Sequence, residues 1–73
     1  MGRYSEPEKG IIERGKIISA EAGGYVIASI DRDGIETPPL AALHSGETYS
    51  AGDHVYYFIF GDGTGRILGE FSV

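Results

Sequence analysis

The sequence predicts an all-β chain in which five short strands curl into one small barrel. Three observations carry this. Seventy-three residues allow a single small domain and no second one. Runs of β-branched and aromatic residues alternate with glycine-rich turns, and no segment carries a helical repeat of apolar positions. Five strands this short leave two unprotected edges as an open sheet, so closure or near-closure follows.

Each element can be justified in order. Residues 1–9 are polar, contain Pro7 and read as an extended N-terminal arm, followed by one barrel domain over residues 10–73. After Gly10 comes IIERGKIISAEA, rich in β-branched residues, in which Gly15 predicts a bulge or sharp bend. Gly23-Gly24 breaks the run as a hairpin turn does. YVIASI places Val26, Ala28 and Ile30 on one face and Tyr25, Ile27 and Ser29 on the other. Asp33-Gly34 is a second hairpin signal, since both residues tolerate positive φ.

IETPPLAAL begins as a strand, but Pro38 and Pro39 have no N–H to give a ladder, so this segment lies at an edge or leaves the sheet. HSGETYSAGD is a polar connection with room for one helical turn at most. The fourth strand is Val55 to Phe60, and GDGTG joins it to the last, Arg66 to Phe71. The expected core is Ile17, Val26, Ala28, Ile30, Val55, Tyr57, Ile59 and Leu68. A long, bent first strand with a central glycine favours an OB-fold-like barrel, with an SH3-like barrel as the alternative.

Composition bounds the partners. Six Lys and Arg against 11 Asp and Glu give a net charge of −5, and only Arg66 is basic beyond Thr37. Nucleic-acid binders neutralise phosphates with clustered cations, so nucleic acid is an unfavoured partner. Without cysteine there is neither a disulfide nor a thiolate zinc site. No apolar run approaches the roughly 20 residues of a membrane-spanning helix, and the polar start lacks a signal-peptide core. A soluble chain made in the cytoplasm, with no membrane partner, is expected.

The motifs that invite a chemical reading fail on context. GDGTG as a phosphate loop would have to open a helix, yet RILGEF follows and reads as a strand. As the Asp-Thr-Gly of an aspartic protease it has one glycine too many. Asp31-Arg32-Asp33-Gly34 resembles the start of a calcium loop, but the twelfth position from Asp31 is Ala42, where a bidentate Glu is needed. His44 and His54 suggest no third metal ligand. Ser45, Ser50 or Thr64 beside a histidine would mimic a nucleophile pair, in a barrel with little room for a triad and an oxyanion hole. Catalytic, cofactor and metal residues are therefore each expected to be none.

One feature resists a purely structural reading. A strand with one wet face alternates apolar and polar residues, yet Val55, Tyr57 and Ile59 share one face while Tyr56, Phe58 and Phe60 share the other. Either the N-terminal arm or a loop covers the outer three, or Tyr56, Phe58 and Phe60 form a protein interface. Bases stacking on those rings are the competing use.

The order GKIISAEAGGYVIASI, TPPLAAL, YSAGDHVYYFIF and GRILGEF resembles the OB-fold domain of phage baseplate spike proteins, the baseplate assembly protein V family and its relatives in contractile injection machines. The matching positions are Gly15 to Ser19, Tyr25 to Ile30, Pro38 to Leu40, Gly52-Asp53-His54-Val55 and Gly65-Arg66-Ile67-Leu68-Gly69. The resemblance spans roughly residues 10 to 71. It implies a non-enzymatic structural module, stand-alone or a piece of a larger hub protein. Such a module is a phage or prophage tail or baseplate component, bound to protein or to itself, a trimer included, and associated with the virion. The alternatives are a single-stranded nucleic-acid-binding OB barrel and an SH3-like peptide adaptor.

Overall fold

The computed structural model describes residues 12–72; the arm at residues 1–9 lies outside the described residues. Five strands form one sheet: β1 (Ile12–Glu21), β2 (Gly24–Ser29), β3 (Ala41–Ala42), β4 (His54–Ile59) and β5 (Gly65–Phe71). No helix occurs among the described residues. The strand order is β2-β1-β4-β5-β3, antiparallel except for the parallel β3–β5 pair. β1 is thus flanked by its hairpin partner and by β4, a Greek-key arrangement.

The two prolines explain how the sheet curls shut. Before them, Thr37 N–H donates to the Ile27 carbonyl (2.9 Å), and Ser29 N–H donates to the Ile35 carbonyl (2.9 Å). After them, Leu40 and Tyr25 exchange backbone bonds of 2.9 and 2.8 Å, and Leu43 N–H donates to the Ile67 carbonyl (2.9 Å). Pro38 and Pro39, with no N–H to satisfy, fall between the Thr37 and Leu40 bonds to β2, and the chain passes to β5 only after Leu40. The result is a curled, barrel-like sheet, consistent with an OB-like or an SH3-like barrel, in which residues 35–43 run along β2 and then pair with β5.

The core is Ile17, Ile27, Leu40, Val55, Tyr57 and Ile67, with Tyr25, Tyr49 and Ile59 packed against it. Ile17, Val55, Tyr57 and Ile59 lie where the alternation places them; β2 and β5 do not follow it. Val26 and Ala28 are only half-buried, Ile30 is exposed, and Ile27 and Ser29 are inside. The reason is register. Ile27 stands opposite Ile17 and Ser29 opposite Gly15, so β2 must turn the same face inward as β1. In β5 a bulge at Leu68 lets Ile67 stand opposite Tyr57 and takes the core position expected of Leu68.

The expected bulge at Gly15 lies instead at Ile18, between the pairs Ile17–Ile27 and Ser19–Val26. Gly15 has a different task. A Cβ there would stand 2.3 Å from Ile27 Cγ2 and 3.0 Å from Tyr57 Cε1, so the glycine lets two core side chains meet over the β1 backbone.

Candidate docking face

Alternation along β1, β4 and β5 turns one side of the sheet outward, and the register arranges that side in three rows. Ile12, Phe58 and Arg66 form the first; Arg14, Tyr56 and Gly69 the second; Lys16, His54 and Phe71 the third. Phe60 follows just beyond β4 and meets Phe58 edge-on, ring centroids 5.4 Å apart. Tyr56 stacks on Phe71 at 4.5 Å, and His54 tilts against the same ring at 5.7 Å. Gly69, opposite Tyr56, leaves the outer surface open beside that ring.

Of the three predicted residues, Tyr56 is 42% and Phe60 45% exposed, while Phe58 is half-buried between them and Ile12. Phe71 and His54 complete the aromatic surface. Sequence reading singled out neither: Phe71 reaches the face through the pairing of β5 with β4, whereas His54 follows the alternation of Tyr56 and Phe58 but lies one residue before the predicted strand.

Charge on this face is segregated. None of the nine register positions is Asp or Glu, although the chain has 11, and three are cations. Arg14 is committed: its Nη2 lies 2.6 Å from Asp31 Oδ1, and its backbone N–H donates to Oδ2 at 2.8 Å. The Arg14 side-chain hydrogen bond holds the Asp31 carboxyl below its ordinary range, and the guanidinium is raised in return. Lys16 and Arg66 have no carboxylate partner among the described residues; Arg66 Nη1 donates to its neighbour's carbonyl, Gly65 O, at 2.9 Å. Pairing β1 with β4 and β4 with β5 brings three cations distant in sequence onto one face, Lys16 and Arg66 at its opposite corners and Arg14 paired with Asp31.

A second polar cluster lies inside the barrel, and sequence reading missed it. Glu13 is 5% exposed because it shares the inward face with Gly15 and Ile17. Tyr57 Oη donates to its Oε1 (2.8 Å), while Arg32 Nε donates to Oε2 (2.6 Å). Arg32 N–H also donates to the buried Ser29 hydroxyl oxygen at 2.9 Å. Burial, chiefly, pushes the Tyr57 phenol up to about 12, with the Glu13 contact acting in the same direction. Both carboxylate oxygens face fixed donors, so this cluster braces the barrel and aims no base at open space. The inward spacing 13, 15, 17 was the available signal.

The remaining motifs are local structure. In GDGTG, Asp62 Oδ1 accepts from the Thr64 N–H (3.0 Å) and hydroxyl (2.7 Å), and Phe60 N–H donates to the Thr64 carbonyl (2.7 Å), which closes the hairpin. In DRDG, Asp33 (φ 60°) and Gly34 (φ 80°) reverse the chain. Ala42, twelfth from Asp31, lies in β3. Among the described residues no three His, Cys, Asp or Glu are grouped to hold a metal ion, and no helix is long and apolar enough to cross a membrane. Comparison of the chain with known protein families, curated proteins and solved structures finds no match.

Proposed function

We propose that this protein is a non-enzymatic docking module that binds protein through the outer face of β1, β4 and β5. The observation that carries the reading is the ring cluster Tyr56, Phe58, Phe60 and Phe71 on an outward face whose register positions contain no carboxylate. Large aromatic side chains with arginine beside them are what protein interfaces enrich and what an isolated surface avoids. The setting we propose, a phage or prophage tail or baseplate, rests on the resemblance of the strand sequences alone.

A second reading draws on the same geometry. Arg14, Lys16 and Arg66 interleaved with rings also suit a single-stranded nucleic acid, whose bases stack while cations follow the backbone. The net charge of −5 opposes it by long-range repulsion of a polyanion.

The test is co-expression of the tagged chain with the products of the genes beside its own. A stoichiometric complex that survives purification, and that Phe60→Asp dissolves while the fold persists by circular dichroism, supports docking; the loss corresponds to about 2 kcal/mol or more. A complex indifferent to Phe60→Asp, or salt-sensitive binding of oligothymidylate in place of any protein complex, refutes it.

A further inference from the structure

The outer face does not end at β1. Ile30 N–H donates to the Arg14 carbonyl (2.9 Å), which sets Ile30 beside Arg14 at the β2 edge of the same surface. There the turn of residues 30–36 projects as a knuckle. It exposes Ile30 (47%) and Ile35 (63%), the latter the most exposed large apolar residue among those described. It also carries Asp31, Asp33 and Glu36. Arg14 holds Asp31, and Arg32 turns inward to Glu13, but Asp33 and Glu36 have no cationic partner among the described residues. Through Ile30 and Arg14 the outer face thus runs from an apolar, anionic turn beyond β2 to the aromatic field with Lys16 and Arg66 on β1, β4 and β5.

A surface that carries both halves of a complementary pair side by side is complementary to itself. Across a two-fold axis each half meets the other, so every favourable contact is made twice. A domain of this length also buries only about 60% of its unfolded surface alone, and association is a common supplement for such a core. We propose that a second copy of the chain covers this face in a two-fold dimer, the knuckle of each copy seated on Tyr56, Phe60 and Arg66 of the other. This rests on the reading of the face as a protein-docking surface, and names its occupant.

The experiment is mass in solution, by light scattering from micromolar to millimolar chain. The wild type passes from single-chain to two-chain mass. Lys16→Glu with Arg66→Glu makes the field anionic; Asp33→Asn with Glu36→Lys makes the knuckle cationic, Asn being chosen because it tolerates the positive φ of residue 33. Each double variant alone opposes like charges and weakens association at least about tenfold. Mixed in equal amounts they restore the two-chain mass, because both halves of the contact are again complementary. Circular dichroism confirms that each variant is folded.

A trimer mass, variants that associate as the wild type does, or a mixture that stays single overturns the proposal. So does association that appears only once residues 1–9 are removed, which would give the face to the chain's own arm. A wild type that stays single at every concentration refutes the dimer and leaves docking on another protein to the co-expression test; indifference to Phe60→Asp there refutes the face itself.

Discussion

Raising the pH tests the buried Tyr57–Glu13 contact directly. In the folded chain the Tyr57 phenol is pushed up from its ordinary 10.0 to about 12, chiefly by burial; the Ser29 hydroxyl opposes the rise and the Glu13 carboxylate adds to it. The unfolded chain releases that proton near pH 10 while the folded chain keeps it to about 12, so the unfolded state binds fewer protons in this window. Stability is therefore complete below pH 10 and is lost as the pH rises to about 12. The ceiling on the loss is about 2.7 kcal/mol for this one group. Against a total of roughly 4–11 kcal/mol for a chain of this length, that is a large fraction.

Tyr57→Phe separates the effect from other alkaline titrations, Tyr49 among them. At neutral pH the variant lacks one buried hydrogen bond and is less stable by about 1–2 kcal/mol. It has no phenol to ionise, so the wild type loses its advantage as the pH climbs, and the two stability curves converge and cross. Urea midpoints followed by far-ultraviolet circular dichroism across this range give the curves. If they run parallel, Tyr57 ionises as easily folded as unfolded, and the account of the braced interior is wrong.

Two further outcomes follow from local geometry. Gly15→Ala, with its Cβ 2.3 Å from Ile27 Cγ2, lowers the urea-derived stability by about 1–3 kcal/mol. Gly65→Ala, whose Cβ would stand 2.0 Å from the Phe58 carbonyl oxygen, costs more, whereas Gly69→Ala meets nothing and stays within about 0.5 kcal/mol. Equal effects at the three sites would contradict the packing. In an NMR titration Asp62 deprotonates below its ordinary 3.8, held down by the Thr64 N–H and hydroxyl. The stability it lends is present above the unfolded value and is lost as the pH falls through the folded one. Thr64→Val returns its titration towards the ordinary value; an unmoved Asp62 would refute the turn geometry.

Much of the fold was legible because its signals are local. Asp33-Gly34 and GDGTG carry their turns in their own backbone preferences, and Pro38-Pro39 announces a break in pairing wherever it falls. β4 could be read on both faces, since Val55 and Tyr57 against Tyr56 and Phe60 follow plain alternation. The inward face of β2 was not legible. VIASI offers apolar residues on both sides, and the choice belongs to the partner strand, where Gly15 and Ile17 already face inward and receive Ser29 and Ile27. The bulge at Leu68 is likewise a property of the β4–β5 pair, and no residue in GRILGEF declares it. Leu40, next to two prolines, reads as loop and becomes core only because residues 35–43 close the barrel.

The same distinction separates the candidate face from the motifs that fail. Asp62, Asp31 and Glu13 each looked or could have looked like chemistry, and each is engaged by a neighbour: Thr64, Arg14, and the pair Tyr57 and Arg32. The space around Gly15 is filled to the point that one methyl would collide with Ile27. The charges without an ion-pair partner among the described residues include Lys16 and Arg66 on the ring-bearing face, Asp33 and Glu36 in the turn that exposes Ile30 and Ile35, and Glu70 on β5. A polar group satisfied by its own fold has little left to give a ligand, and a charge left in water loses little by meeting its opposite. The sorting of charges by face, invisible in a sum of −5, sets the outer sheet apart from the rest of the barrel.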